Sequence, residues 1–216
     1  MKGLFITFEG PDGAGKSTQV NRLVDYIMRQ GFPLLVTREP GGTPIGQRIR
    51  EILLDPSNDE MVDQTEVLLY ASSRAQLIHE QIMPALNEGK IVICDRYIDA
   101  SIAYQGYGLG FDIETVRSIN HFASSGLSPH RTYLLDISPE EGNRRLQSRV
   151  QKQNQTMDRI EQKELLYHKR VHEGFKKIAE QNQERIIRVD AMSSPDDIAE
   201  MIEKDFISFI QGIYTK

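Results

Sequence analysis

The sequence has one cysteine, no surplus of positive charge and no apolar run long enough to span a bilayer. A lone cysteine excludes an internal disulfide and fits a reducing compartment. Cys94 sits in Ile91-Val92-Ile93-Cys94, where a buried strand thiol is expected rather than a reactive one. A transmembrane helix takes about 20 consecutive apolar residues, so no membrane partner is expected. The first strand begins close to Met1, so no signal or transit peptide is expected and a cytoplasmic location is. The net charge of −5 offers no bulk attraction to nucleic acid or anionic lipid, so anion binding must be local. Neither N-K-x-D nor T-K-x-D occurs, which counts against a GTP-dependent switch. His168 and His172 are four apart, but no Glu follows the first and Lys169 and Arg170 lie between them. A zinc site is therefore not expected. Tyr167 and Phe175 read as core or interface residues.

What remains is the composition of an ordinary globular chain: 216 residues, 39% hydrophobic and 26% charged. That length suits one α/β domain with a full core, spanning residues 1–216. Near its start the apolar run Leu4-Phe5-Ile6-Thr7-Phe8-Glu9 enters Gly10-Pro11-Asp12-Gly13-Ala14-Gly15-Lys16-Ser17-Thr18. A helical pattern follows, with Val20, Leu23, Val24 and Ile27 on one face. Strand, Gly-rich loop and helix in that order give G-x-x-x-x-G-K-[ST] its physical meaning. The glycines let backbone N–H groups converge on an anion, and the helix N-terminus adds partial positive charge. Lys16 is expected to reach the β/γ-phosphates of a nucleoside triphosphate, and the Ser17 hydroxyl to ligate Mg²⁺.

The chain then alternates. A second strand is expected over residues 33–37, a rigid loop over Arg38-Glu39-Pro40-Gly41-Gly42-Thr43-Pro44, and a helix over 45–54 with Ile45, Ile49, Ile52 and Leu53 inward. A long helix over 60–87 carries Val67, Leu68, Ala71, Ile78 and Ile82 as its stripe, bent near Pro84. Tyr70 and Arg74 share one of its faces. Ile91–Cys94 reads as a buried parallel strand ending in Asp95-Arg96-Tyr97. Residues 98–110 contain Ser101, Tyr104, Gln105 and three glycines. A helix over 113–124, a strand over 132–137 and a helix from Ser138 to about Val150 follow. The polar stretch 151–156 has no apolar anchor and is expected to be mobile. A helix over 161–181, a strand over 186–190 and a helix from Ser194 to about Ile210 complete the chain. The pattern predicts an α/β fold with a five-stranded, doubly wound parallel sheet.

Three features narrow the chemistry. Asp12 puts a carboxylate inside the anion-binding loop, where two like charges 4 Å apart repel by about 1 kcal/mol even in water. It should serve a sugar hydroxyl or a metal-bound water rather than the phosphates. Arg38, Arg74, Arg96, Arg149 and Arg159 fall at strand ends or loop edges, where Arg forks suit the oxygens of phosphoryl groups. Many such arginines fit a kinase holding two phosphorylated substrates better than an NTP hydrolase. Asp95, ending a buried strand, is placed to hold the Mg²⁺ shell. Arg149 and Arg159 bracket the polar stretch, which suggests a lid over about 149–160 that excludes water on closing.

Phe8 to Thr18, Thr37-Arg38-Glu39-Pro40-Gly41-Gly42-Thr43, Asp95-Arg96-Tyr97, Ala103-Tyr104-Gln105-Gly106 and Asp158-Arg159-Ile160-Glu161 together resemble thymidylate kinases of the bacterial type. The resemblance covers nearly the whole chain and implies a P-loop NTPase fold that transfers the ATP γ-phosphoryl group to dTMP. It implies that Gly10 to Thr18 hold ATP and Mg²⁺, with Asp12 near the acceptor's 3′-hydroxyl. Arg96 and Arg38, assisted by Arg50, would place the acceptor phosphate, with Glu39 beside them. Arg74 and Gln105 would read the thymine edge with Ser101 nearby, and Tyr104 would leave no room for a 2′-hydroxyl. Tyr70 stands where the family usually stacks a Phe. Members with an Arg after the loop Asp supply charge from there; here that position is Gly13, so the lid should supply it, from Arg149 first or Arg159 second. The family also implies a homodimer. The competing readings are a P-loop kinase for another nucleoside or monophosphate and a non-catalytic nucleotide switch.

Overall fold

In the computed structural model, which describes residues 3–153 and 156–214, β1 (Leu4–Glu9) is buried along its whole length at the centre of a sheet. Side chains alternate along a strand, and here both alternating sets are buried, one wholly apolar and the other made of Phe5, Thr7 and Glu9. Leu4, Ile6 and Phe8 enter one core layer with Leu23 and Ile27 of α1 (Lys16–Arg29) and Ile198, Ile202 and Phe206 of α9 (Pro195–Tyr214). Phe5 enters a second layer on the opposite face with Val92 and Cys94 of β3 (Ile91–Asp95). Covering both faces is what lets a parallel sheet stay dry, and it explains the unbroken apolar runs.

The remaining strands are β2 (Leu34–Arg38), β4 (Arg131–Asp136) and β5 (Ile186–Asp190). All pairs are parallel and the order is β2-β3-β1-β4-β5, so the expected five-stranded doubly wound sheet is present. The chain passes one way from β1 to β2 and the other way from β3 to β4. Ligands bind where such connections diverge, outside the carboxyl ends of the strands. Phe8 pairs in register with Asp95, which brings the loop after β1 against the residues after β3.

The other helices are α2 (Pro44–Leu54), α3 (Asp63–Leu77), α4 (Met83–Asn87), α5 (Ile98–Ser101), α6 (Ile113–Ser124), α7 (Pro139–Gln153) and α8 (Leu165–Gln181). Ser138 and Ser194 cap as expected, their hydroxyls accepting from Glu141 N and Asp197 N. Several expectations need correction. The helix expected over 60–87 starts at Asp63 and is split by a wide π turn at Ile78–Ile82, so the change of register precedes Pro84. Leu68 is exposed rather than part of the buried stripe. Ile45 and Ile52 also face solvent, because α2 turns Gly46 and Leu53 inward. A Cβ at Gly46 would lie 2.6 Å from the Gly41 carbonyl oxygen, so the loop before α2 dictates which face is buried. Residues 151–153 continue α7 rather than forming a loop; 154 and 155 lie outside the described residues. Residues 98–108 are helical, as α5 followed by a π turn at Ile102–Gly108. Tyr167 and Phe175 are buried in the layer that this turn forms with α8. Cys94 is fully buried as a free thiol.

Candidate active site

The loop between β1 and α1 forms the floor of a cleft of about 870 Å³. Gly13 has φ +79°, and a Cβ there would stand 2.3 Å from the Gly142 carbonyl oxygen at the start of α7. No side chain fits this position, so the loop has no room for an arginine there. Lys16 is 7% exposed, and its Nζ donates to Gly10 O at 3.0 Å and Pro11 O at 2.8 Å. Burial, with Arg96 nearby, pushes the Lys16 ammonium down to about 8. Its folded pKa lies below the unfolded one, so the protonated form costs stability below about pH 8, and that cost fades as pH rises. A bound triphosphate would favour the protonated form. ATP affinity of the free protein is therefore expected to weaken as pH rises above 8, measurable by calorimetry, and Lys16→Met should abolish the slope. A slope that persists in that variant would contradict the assignment.

Ser17 Oγ donates to Asp95 Oδ2 at 3.2 Å, and Asp95 Oδ1 is buried with no partner. Among the described residues no cluster of three His, Cys, Asp or Glu is present. Mg²⁺ needs none: it takes one or two protein oxygens, keeps several waters and shares substrate phosphates. The hydroxyl and the unpartnered carboxylate oxygen beside the phosphate loop fit that demand.

Asp12, Arg96 and Tyr104 form one cluster across the floor. Arg96 Nη2 donates to Asp12 Oδ1 at 2.6 Å and to the Tyr104 hydroxyl at 3.2 Å, and Nη1 donates to Gly10 O at 3.0 Å. The Tyr104 hydroxyl donates to Asp12 Oδ2 at 2.9 Å. Burial works against the Asp12 charge, but Arg96 and Lys16 outweigh it and hold the carboxyl well below the ordinary range. Asp12 is thus ionised and aimed by two donors. Arg96 itself has φ +72°, an uncommon backbone for a non-glycine residue. Its N–H donates to Phe8 O at 2.9 Å, which fixes the turn after β3.

At the far end of the cleft Arg74 is almost wholly buried. Its Nε and Nη2 donate to Glu39 Oε2 at 2.8 and 2.5 Å, and Nη1 donates to Ser101 Oγ at 3.1 Å and to Asn120 Oδ1. Burial opposes the Arg74 charge, and Glu39 more than offsets it. A guanidinium has five N–H groups, so one on Nη2 is left over. Tyr70 lines the same wall, its phenol pushed up by burial and by Glu66, and its hydroxyl has no hydrogen-bond partner among the described residues. Arg50 Nη1 donates to Pro40 O at 3.0 Å, while Arg38 is exposed and unpaired among the described residues.

Arg149 on α7 also lines the cleft, with Nη2 on Glu161 Oε1 at 2.7 Å. Arg159 turns away, donating Nε to Leu53 O at 2.9 Å and Nη2 to Glu66 Oε2 at 2.7 Å. Every expected site residue borders the cleft except Arg159, Gly10, Pro11 and Ala14. Gly10 and Pro11 act through their carbonyls, and Ala14 is in the core. Asp158 and Glu161 also border the cleft. Asp158 Oδ1 accepts from Ile160 N and Glu161 N, both at 2.9 Å, and burial pushes its carboxyl up to about 6. Their place in Asp158-Arg159-Ile160-Glu161 was the available signal. Arg145 also borders the cleft, but its Nη1 is occupied by Ala191 O at 3.0 Å. His172, by contrast, bonds Asp136 Oδ1 through Nε2 at 2.7 Å and lies outside the cleft.

The family model described as thymidylate kinase matches residues 8–202. The chain is 50% identical over 211 residues to a thymidylate kinase of Exiguobacterium sibiricum, covering 98% of this chain and 97% of that one. It is 43% identical over 212 residues to one of a Geobacillus species, covering 98% and 100%. The crystal structure of thymidylate kinase from Ehrlichia chaffeensis matches with a TM-score of 0.75 at 29% identity, covering 95% of this chain and 99% of that one.

Proposed function

The chain belongs to the thymidylate kinase family, and we propose that its cleft transfers the γ-phosphoryl group of ATP to dTMP, giving ADP and dTDP. The observation that carries this reading is the ionised Asp12, set within the phosphate loop yet held by Arg96 and Tyr104. A hydrolase has no use for a carboxylate there; an acceptor sugar with a 3′-hydroxyl does.

In this assignment the loop amides and Lys16 hold the β- and γ-phosphates. Ser17 and Asp95 hold Mg²⁺, which when bound neutralises charge on the phosphate oxygens. Arg96 and Arg38, with Arg50 behind them, hold the acceptor phosphate so that one of its oxygens faces the γ-phosphorus. A new P–O bond forms there as the bond to the ADP oxygen breaks, so positioning and charge supply most of the rate. Arg149 brings positive charge to the equatorial oxygens in place of the arginine that Gly13 excludes. Arg74 offers its spare N–H, and Gln105 its carbonyl, to the thymine edge. Tyr70 stacks on the ring, and Tyr104 closes the 2′ side of the sugar. Residues 1–216 act as one domain with a lid over about 149–160.

Two copies pair through α2 and α3, whose Ile45, Ile52 and Leu68 stand in solvent; sedimentation as a monomer would exclude the pairing. Among the described residues no helix is long and apolar enough to cross a membrane, in keeping with work on small cytoplasmic nucleotides. Incubation with ATP–Mg²⁺ and dTMP should yield dTDP, resolved by anion-exchange chromatography. Tight GTP binding with no transfer would instead favour a switch.

A further inference from the structure

Reading a base edge requires that an amide present a known end. Gln105 is nearly sealed, and its Nε2 donates to Glu66 Oε1 at 3.0 Å. Glu66 is wholly buried, and its second oxygen accepts from Arg159 Nη2 at 2.7 Å. Arg159 is itself tied down, with its Nε on Leu53 O at 2.9 Å and its N–H on Leu54 O at 3.1 Å.

An ionised carboxylate accepts hydrogen bonds and donates none. Glu66 can therefore face only the NH₂ end of Gln105, which leaves Oε1 as the free end of an amide that lines the cleft. Oε1 has no hydrogen-bond partner among the described residues, and it is not among the sealed polar atoms that lack one. Arg159 in turn is the cation paired with this buried carboxylate, and its N–H fixes the second Glu66 oxygen as an acceptor.

We propose that Arg159 and Glu66 are positioning residues that lock Gln105 as an acceptor, so that the cleft selects a base whose ring nitrogen carries a proton. This rests on the reading of Gln105 as the base contact. It gives Arg159 a task in specificity, separate from phosphoryl transfer. It also ties base recognition to the segment that carries Asp158 and Glu161.

Glu66→Gln tests it with little change in volume. The new carbonyl would be claimed by the charged Arg159, its NH₂ would face Gln105, and Gln105 would have to turn Nε2 to the cleft. The KM for dTMP should rise about tenfold, the effect of losing one buried hydrogen bond. Turnover and the KM for ATP should stay within about threefold, as for loss of uniform binding to one substrate. The ratio of kcat/KM for dCMP over dTMP should rise about tenfold, because cytosine offers an acceptor where thymine carries N–H. The swap E66Q/Q105E restores an acceptor toward the cleft and should recover most of the loss in KM for dTMP. It also keeps one carboxylate in the pair, and so carries the test if E66Q alone folds poorly. An E66Q protein with the wild-type dCMP-to-dTMP ratio, or a folded swap with no recovery, would overturn the relay. A wild-type protein inactive on dTMP would instead overturn the proposed function.

Discussion

Arg149→Ala is expected to lower kcat by about 10³, with the KM values for ATP and dTMP within about threefold. The expectation follows from what the phosphate loop lacks. Gly13 sits at φ +79° against the Gly142 carbonyl, so the loop has no room for a guanidinium beside the γ-phosphate. Arg149 faces the same cleft from α7. The Arg149 side chain is 47% exposed, while its partner Glu161 is 8% exposed and also accepts from Asp158 N at 3.1 Å. Phosphoryl oxygens bearing transition-state charge can therefore compete for Arg149 while Glu161 keeps a second partner. An interaction made only in the transition state shows in kcat and not in KM. Single-turnover kinetics with dTMP in excess would separate this from slow product release. Unchanged turnover in Arg149→Ala, with loss in Arg159→Ala, would move the role to Arg159 and break the account of Gln105 as well.

Arg96→Ala is expected to lower kcat/KM for dTMP by about 10³ while ATP affinity changes less than about fivefold. One guanidinium here holds Asp12, the Gly10 carbonyl and the Tyr104 hydroxyl. Without it Asp12 stays beside the phosphates with Tyr104 as its remaining aligned donor. Asp12 would repel the incoming acceptor phosphate, and the cation that should bind that phosphate would be gone. The ATP side depends instead on Lys16 and the loop N–H groups, and the one hydrogen bond from Arg96 to the loop backbone goes to the Gly10 carbonyl. Because Arg96 adopts a left-handed backbone, Arg96→Gly is the companion variant: it relaxes the backbone and should lose the same transfer. Equal loss of ATP binding and transfer in both variants would contradict an acceptor-side role.

Much of this site could be read from the chain because its chemistry is local. The phosphate loop, the Asp95-Arg96 pair at a strand end and the Pro-Gly loop after β2 each lie within a few residues, and parallel-sheet topology brings such loops together. Asp12 could be read as out of place among phosphates from charge alone. Glu66 could not. It stands on α3 as one more acidic helix residue, and only the fold shows it between Gln105 and Arg159. The same holds for Arg159, whose sequence position at the edge of a polar stretch gave no hint that it turns back to Leu53. Residues 98–110 resisted typing because their glycines suggest a loop. Gly108 instead allows close approach to α8, where a Cβ would come within 2.7 Å of the Tyr167 ring. The orientation of α2 was hidden for a similar reason, since its buried face is set by contact with the Gly41 carbonyl rather than by its isoleucines.

The division of the cleft into a donor half and an acceptor half that fits dTMP is the central claim. Initial rates with ATP–Mg²⁺ and a panel of dTMP, dUMP, CMP, AMP and GMP at equal concentration test it most directly. The highest kcat/KM is expected for dTMP, with CMP, AMP and GMP at least about 10²-fold lower because each leaves buried polar groups of the base pocket unpaired. Equal rates across the panel, or a purine monophosphate ahead of dTMP, would contradict it.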